Sequence, residues 1–158
     1  MAFHILEDSN QKANQHTAKR EYFTQVGAEI IRLRLPVGDY MVLPPVAVDT
    51  KQDIYEIANN IEHDHTRFRN ECIKARTLGC RLIILIENED GITCLDDLSG
   101  WRESDEHFRM RGGKRRIEGK RLAACMTTMN KRYGVEFMFC TPSEAGKRVV
   151  EILGGENQ

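Results

Sequence analysis

The sequence contains no hydrophobic stretch long enough to cross a bilayer. Its longest unbroken aliphatic run is Leu82–Ile86, whereas a membrane-spanning helix needs about 20 apolar residues. The N-terminus also lacks a positively charged segment followed by an apolar one, so we expect no secretory signal. These absences predict a cytoplasmic protein.

Paired cysteines and a strong net charge are missing as well. None of the five cysteines forms a C-x-x-C pair; they are Cys72, Cys80, Cys94, Cys125 and Cys140. Their odd number and apolar surroundings predict reduced, mostly buried thiols rather than a disulfide or zinc framework. The formal net charge is -1, so any surface that binds nucleic acid must be local.

The chain has the size and composition of one folded domain. It holds 158 residues, of which 41% are hydrophobic and 30% charged, and a domain of this length buries roughly 68–70% of its unfolded surface. We therefore expect a single domain over residues 1–158. Residues 99–119 form the only long segment with the character of a loop, and such loops are usually functional or disordered.

Hydrophobic periodicity predicts helices that alternate with strands. Strands are expected at residues 3–6, 29–35, 39–43, 46–51, 81–86 and 135–140. Helices are expected at residues 13–26, 53–62, 65–79 and 121–133, and after Pro142. This order favours an α/β fold with a mixed central sheet flanked by helices on both faces.

Two strand patterns carry more detailed expectations. The strand at 29–35 alternates Ile31 and Leu33 with two arginines, which predicts one buried and one wet face. Together with the strands at 39–43 and 46–51 it should form an antiparallel meander. The strand at 81–86 is apolar on both sides, so it belongs in the interior of the sheet.

The helices carry recognisable ends and apolar stripes. Asp53 and Glu56 have the spacing of a capping box, and Gly134 is placed to end the helix at 121–133. Apolar stripes predict the inward residues, which are Ala18, Tyr22 and Val26 in the first helix and Leu122, Cys125, Met129 and Tyr133 in the helix at 121–133.

The segment at 99–119 concentrates positive charge. Lys114, Arg115 and Arg116 lie among glycines, and a flexible basic loop of this kind can neutralise DNA phosphates; the alternative is a solvated, mobile loop. Trp101 lies at the start of the segment. It can stack on an unpaired base or anchor the segment against the core, and the second role is the more common for a lone tryptophan.

A D-x-K triplet on a strand is the strongest chemical signal. Side chains alternate along a strand, so Asp49 and Lys51 point the same way, about 6.6 Å apart at ~3.3 Å per residue. Asp39 would join them, opposite Lys51, if the connection across Pro44 and Pro45 has an odd number of residues or a bulge. Two carboxylates beside a lysine suit Mg²⁺ or Mn²⁺ and phosphodiester hydrolysis, and the alternative is an ordinary salt bridge at a strand end.

Three segments resemble one nuclease family. Residues 35–40 (LPVGDY), 48–51 (VDTK) and 82–87 (LIILIE) are similar to the GDY, V-E-R-K and L-L-I-E segments of the XPF/Hef-type structure-specific nucleases, in the PD-(D/E)xK, restriction-endonuclease-like group. The resemblance runs from about Ile5 to Glu87 with compatible order and spacing. It implies a restriction-endonuclease-like fold and a metal-dependent endodeoxyribonuclease.

The resemblance also implies roles for individual residues. Asp39 and Asp49 match the metal-binding acids, the carbonyl of Thr50 matches a backbone metal ligand, and Lys51 matches the catalytic lysine. Arg67 matches an arginine that would lie near a phosphate. Two further candidate metal ligands are Asp8, in a degraded form of the family's V-D-x-R-E segment with Asn10 and Gln11 in place of Arg and Glu, and Glu87 at the end of the central strand.

The chain departs from the family pattern at several positions. Asp49 replaces the usual glutamate, and Tyr55 stands where the family has an acid four residues after the lysine. The tandem helix-hairpin-helix domain of the relatives has no counterpart within these 158 residues. Dimerisation and branch specificity are therefore the least supported implications.

The sequence as a whole favours a Mg²⁺- or Mn²⁺-dependent DNA endonuclease that cuts branched or flap DNA, with a role in DNA repair or recombination. Lys114, Arg115 and Arg116 would add DNA contacts. The size of the chain leaves three alternatives open: the protein works alone, as a homodimer, or tethered to a partner such as a helicase. One alternative is a catalytically silent DNA-binding or scaffold module of the same fold. Another is a nuclease that acts on RNA, because a metal site recognises phosphate rather than sugar.

Overall fold

The structure, a computed structural model, describes residues 3–12 and 15–154. Its centre is a six-stranded mixed sheet in the order β2-β1-β3-β4-β5-β6. The strands are β1 (Phe3–Asp8), β2 (Ala28–Leu33), β3 (Tyr40–Val42), β4 (Val46–Lys51), β5 (Arg81–Glu87) and β6 (Glu136–Cys140). The helices are α1 (Thr17–Gln25), α2 (Ile54–Glu62), α3 (His65–Thr77), α4 (Leu95–Gly100), α5 (Asp105–Met110), α6 (Gly119–Tyr133) and α7 (Ala145–Gly154).

Helices cover both faces of the sheet, as the sequence predicts. On one face, Ile84 of β5 packs in a core with Ile57 of α2, Phe68 of α3 and Leu122 of α6. On the other face, Leu85 of β5 packs in a second core with residues of α1 and α7. Every residue of β5 after Arg81 is buried, which confirms it as an interior strand. None of the helices in the described part of the chain is both long and apolar enough to cross a membrane.

The predicted antiparallel meander is wrong in part. The β3–β4 hairpin is present, but β1 lies between β2 and β3 and runs parallel to β2. β2 is therefore an edge strand whose Ala28 and Ile30 pack against the core beneath α1. Ile31 and Leu33 lie on its other face and are 46% and 40% exposed, because the helices do not cover that face at the edge. The alternation was predicted correctly and the buried face was not.

The first helix is shorter than predicted and presents a different face. Ala13 and Asn14, at the start of the predicted helix, lie outside the described residues. The buried residues of α1 are Lys19 and Phe23, whereas Val26 is 44% exposed. Phe23 enters the core, and Lys19 is drawn inward by an ion pair rather than by an apolar contact.

That ion pair belongs to a buried charged cluster beneath α1. Lys19 Nζ lies 2.6 Å from Glu87 Oε2, and both side chains are only 8% exposed. Glu7, on β1, is fully buried and binds Arg20 and Arg32. The cluster joins α1 to β1, β2 and β5, so it fixes the helix on this face of the sheet.

The segment at 99–119 is not a long loop. It contains α5, and a bridge between Arg102 and Glu118 closes its base. Glu103, 3% exposed, accepts hydrogen bonds from the Arg111 guanidinium and from the Ile117 backbone N–H, at 2.7 Å and 3.0 Å. These contacts lower the pKa of Glu103 to about 2, chiefly through Arg111. The segment thus folds around one buried carboxylate.

The Asp53 cap and the Gly134 helix end are confirmed. The buried stripe of α6 differs from the predicted apolar stripe. Asp53 Oδ1 accepts a hydrogen bond from the Glu56 N–H at 2.7 Å, and Gly134 ends α6 with φ 74°. The buried residues of α6 are Gly119, Leu122, Ala123 and Met126. A Cβ at Gly119 would lie 1.8 Å from the Leu98 carbonyl oxygen, so α6 approaches α4 where only glycine fits.

Candidate active site

The D-x-K triplet lies at the C-terminal end of β4, just before α2. β4 is hydrogen-bonded to β3 on one side and to β5 on the other. Its side chains therefore project from the two faces of the sheet. Asp49 and Lys51 leave on the same face, as predicted, and Lys51 Nζ lies 2.8 Å from Asp49 Oδ2. Both side chains are 10% exposed, so the pair is largely buried and a small part of its surface is accessible to a ligand.

The hairpin connection brings Asp39 to this pair. The register pairs Tyr40 with Val48 and Val42 with Val46, which leaves three residues in the connection, an odd number. Asp39 lies just before this register, and its N–H donates to the Val48 carbonyl oxygen at 2.8 Å, so the expectation that Asp39 lies opposite Lys51 is corrected. Asp39 Oδ2 accepts hydrogen bonds from the Thr50 N–H and hydroxyl, at 2.8 Å and 2.9 Å, so the carboxylate is held beside β4.

Gly38 makes this approach possible. It has φ 70°, a conformation that L side chains rarely adopt. A Cβ there would also lie 3.1 Å from both Ala47 Cβ and the Val48 carbonyl oxygen. Its N–H donates to Glu71 Oε1 at 3.2 Å, which brings an acid of α3 to the same corner. The sequence carries no signal for Glu71, because it reads as one more polar residue on a helix surface.

Negative charge exceeds positive charge in this corner. Burial raises the pKa of Asp49, and repulsion from Asp39 and Glu71 adds to the effect, while Lys51 opposes it. Burial by itself would lower the pKa of Lys51, but the attraction of Asp49 prevails and the pKa is raised. Asp49 Oδ2 is buried, and its partner is the Lys51 ammonium group. The site can therefore accommodate a further positive charge.

The oxygen donors fit a hard divalent cation. Asp39 and Asp49 supply two carboxylates, and Mg²⁺ is commonly held by one or two carboxylates together with several waters. Within residues 3–12 and 15–154, no group of three or more His, Cys, Asp or Glu side chains is arranged to hold a metal. The arrangement thus fits a magnesium or manganese ion that shares its coordination with water and substrate, and not a structural zinc site.

The two further candidate ligands are not equally placed. Asp8 lies beside Asp39, to whose carbonyl oxygen its N–H donates at 2.8 Å, but its carboxylate already accepts from the Asn10 N–H at 3.2 Å. Glu87 leaves β5 on the opposite face from Asp49, because Asp49 pairs with Ile84 and Glu87 has the other parity. Glu87 binds Lys19 there. The interpretation of Glu87 as a ligand of this site is therefore corrected.

The predicted DNA contacts fall into two groups. Arg67, Lys114 and Arg115 are exposed or partly exposed. Arg116 binds Asp105 and donates to the Glu103 carbonyl oxygen at 3.1 Å, so it also holds α5 in place. The segment at 99–119 is basic on its surface, and one of its three predicted DNA-binding residues is structural as well.

Tyr55 connects this segment to the site. Its ring stacks on His107, with centroids 3.5 Å apart, and meets Trp101 edge-on at 5.3 Å. Trp101 is 8% exposed and donates to Asp90 at 2.9 Å, which confirms it as an anchor. Tyr55 lies in the first turn of α2, four residues after Lys51. Tyr55 thus fastens the basic segment beside the site.

Comparison with known proteins identifies the fold. Neither a protein-family model nor a curated protein matches the sequence. XPF from Aeropyrum pernix matches with a TM-score of 0.64 and 16% identity, over 92% of this chain and 61% of that chain. XPF from Aeropyrum pernix in complex with DNA matches with a TM-score of 0.66 and 16% identity, over 96% of this chain and 63% of that chain. The chain has an XPF-like nuclease fold.

The XPF-like fold confirms the resemblance drawn from residues 35–40, 48–51 and 82–87. This chain spans 61% and 63% of these two XPF chains, so the likeness extends to the fold and not to the whole of those proteins. In the XPF-like fold, Asp39, Asp49 and Lys51 come together at one end of the β3–β4 hairpin. Their roles are argued from that geometry.

Proposed function

We propose that this protein is a Mg²⁺- or Mn²⁺-dependent DNA endonuclease. The observation that carries the proposal is the convergence of Asp39, Asp49 and Lys51: the largely buried Asp49 carboxylate lies 2.8 Å from the Lys51 ammonium group, and Thr50 holds a second carboxylate beside it. A structural salt bridge needs only Asp49 and Lys51. The second carboxylate, held there by Thr50, adds repulsion that a bound cation would relieve.

The residues divide the work of phosphodiester hydrolysis. Asp39 and Asp49 would hold the metal, with the Thr50 carbonyl as a third oxygen. When bound, the metal supplies Lewis acidity for the phosphoryl oxygen and lowers the pKa of a water molecule. Lys51 remains an ammonium ion beside Asp49, so it donates hydrogen bonds. It would orient the attacking water and offset the charge that develops on phosphate.

The DNA would approach over the helices that border the site. Arg67 is exposed in the first turn of α3, next to Phe68, whose ring centroid lies 5.9 Å from Lys51 Nζ. Lys114 and Arg115 extend the positive surface along the segment that Tyr55 fastens beside the site. XPF from Aeropyrum pernix has been solved in complex with DNA, which supports DNA as the substrate of this fold.

A catalytically silent DNA-binding or scaffold module is the second candidate. Two observations favour it: Tyr55 replaces an acid and packs against His107 and Trp101, and the Asp8 carboxylate is engaged in a turn. Such a module would bind DNA without Mg²⁺ and would not need the Asp39–Asp49 pair.

Cleavage of a panel of labelled substrates tests the proposal. The panel holds flap, fork, four-way junction, duplex and single-stranded DNA, with matched RNA, in Mg²⁺, Mn²⁺ or EDTA. We expect cutting of DNA that requires metal, is lost in Asp49→Asn and persists in Asp96→Asn, which makes the same change at an exposed position of α4. Binding of DNA with no cutting of any substrate would favour the silent module, and cutting of RNA alone would identify a ribonuclease.

A further inference from the structure

A cavity of about 440 Å³ lies between α3 and α6. Phe68, Ala124, Met129 and Tyr133 give it an apolar lining, while the basic residues His65, Arg69, Arg121 and Arg132 also line it. Small-molecule sites in proteins are commonly concave, mostly apolar and about 300–1,000 Å³ in volume, with a few polar groups that set orientation. The cavity has this character.

The charges around the cavity are unbalanced. Within residues 3–12 and 15–154, no acid forms an ion pair with the Arg69 or Arg132 guanidinium, and Arg121 Nε lies 4.0 Å from Glu62. An apolar pocket bordered by three guanidinium groups favours a ligand with a flat apolar part and negative charge. Aromatic rings and arginines are the groups on which unpaired bases and their phosphates bind.

Phe68 joins the cavity to the candidate active site. Its ring lines the cavity, and its centroid also lies 5.9 Å from Lys51 Nζ. A ligand in the cavity would therefore be separated from the catalytic lysine by one aromatic side chain. A DNA strand whose phosphate lies at Lys51 would bring a neighbouring nucleotide to the mouth of the cavity.

We propose that this cavity binds one unpaired nucleotide of the DNA strand next to the phosphate that is cut. The base would lie against Phe68 and Tyr133, and Arg69 and Arg132 would hold its phosphate. The inference rests on the proposed nuclease function, because that function places the cut phosphate of the strand at Lys51. A stacked, paired base cannot enter a concave pocket, so the site would distinguish single-stranded from duplex DNA beside the cut.

Cys125 provides a direct readout, because it also lines the cavity and is partly buried. The protein is treated with iodoacetamide in EDTA, so that no DNA is cut, with or without a 5′-phosphorylated oligothymidylate. Mass spectrometry then gives the alkylation rate of each cysteine. We expect a saturating concentration of the oligothymidylate to slow alkylation of Cys125, because the bound base covers the thiol, and to leave alkylation of the exposed Cys94 unchanged.

Two variants make the test specific. Replacement of both Arg69 and Arg132 by alanine should abolish the protection of Cys125. Lys74→Ala removes one positive charge from an exposed position of α3 outside the cavity and should leave the protection in place. A blunt duplex of the same length should give no protection.

Three results would overturn the inference. Bound oligothymidylate with unchanged Cys125 alkylation would place the strand elsewhere, and equal protection by duplex would remove the preference for an unpaired nucleotide. Protection that rises with protein concentration in the absence of DNA would mean that a second copy covers the cavity. Metal-dependent cutting without Cys125 protection would refute only this site, whereas protection without any cutting would refute the nuclease and leave the nucleotide site standing.

Discussion

Lys51 is the residue on which the proposed chemistry depends most sharply. Its ammonium group is buried between the Asp49 carboxylate, 2.8 Å away, and the ring of Phe68. Since its pKa is raised, it acts as a fixed positive charge and not as a base. Loss of a preorganised donor of this kind commonly lowers a reaction rate by about 10²–10³-fold.

Lys51→Met tests this role while preserving much of the side-chain volume. We expect cleavage to fall by about 10²-fold or more, with DNA binding in EDTA nearly unchanged because Lys51 is only one of several positive groups. Lys74→Met, at an exposed position of α3, should cut like the wild type. A Lys51→Met protein that folds and cuts normally would show that the lysine serves only as a salt-bridge partner.

Gly38 sets the position of Asp39, so its substitution should act through that carboxylate. Gly38→Ala forces a Cβ to within 3.1 Å of the Val48 carbonyl oxygen at φ 70°, and such strain costs about 1–3 kcal/mol. We expect lower thermal stability and a disproportionate loss of metal-dependent cutting. Gly27→Ala, which also has positive φ but nothing within 4 Å of the new Cβ, should lose stability alone.

α5 and its flanking turns depend on Glu103, whose carboxylate is shared by Arg111, Ile117 and His107. Its folded-state pKa of about 2 lies below its ordinary value of 4.5. A group whose pKa is lowered by folding stabilises the protein above its ordinary pKa, and this stability is lost as the pH falls toward the folded value. The relevant window therefore runs from about pH 4.5 down to about pH 2.

Glu103→Gln should loosen the segment at neutral pH, because Arg111 then loses a charged partner in a buried setting. Trp101, the single tryptophan, lies at the base of the segment and reports its docking by fluorescence. We expect a shift of Trp101 emission and a loss of roughly 2 kcal/mol of unfolding free energy. The wild type should show the same emission shift on acidification below pH 4.5, and an unchanged spectrum in Glu103→Gln would contradict the account.

The molecule as a whole is slightly acidic, with a formal net charge of -1, so DNA binding must come from local positive surface. Lys114→Ala with Arg115→Ala should weaken duplex binding and reduce the salt slope by about 0.9 for each phosphate that the protein no longer neutralises. Arg116→Ala should also shift Trp101 emission, because Arg116 binds Asp105 and supports α5. Salt dependence measured by fluorescence anisotropy separates the two effects; an unaltered slope in the double variant would place the DNA on another surface.

Much of the architecture could be predicted because it depends on local patterns. The aliphatic run of β5, the Asp53 cap and Gly134 each act over a few residues and are present as predicted. The buried faces of the edge strand β2 and of the helix α1 could not be predicted. A pattern of apolar and polar residues shows that two faces differ, but it does not show which face the rest of the protein covers. A lysine on a helix is normally expected at the surface. Lys19 is buried because it forms an ion pair with Glu87, which lies beneath it.

The candidate site also combines features that local patterns predict with contacts that they do not predict. Strand alternation predicts that Asp49 and Lys51 point the same way, and the odd connection through Pro44 and Pro45 predicts that Asp39 joins them, although Asp39 does not lie opposite Lys51. Glu71 could not be predicted, because it comes from a different element and acts through space on Asp49. Glu103 could not be predicted either, because its partners Arg111 and Ile117 come together around it only when the segment folds.

If Asp39 and Asp49 form a metal site, and Asp49 is not merely half of a salt bridge, both carboxylates must contribute to the binding of Mn²⁺. Titration of Mn²⁺ into the apoprotein, followed by electron paramagnetic resonance of the free ion, tests it most directly. We expect saturable binding in the wild type and in Asp96→Asn, weakened about tenfold or more in Asp39→Asn and in Asp49→Asn. Equal Mn²⁺ binding by all four proteins, or none by the wild type, would contradict it and leave Asp49 and Lys51 as a structural ion pair.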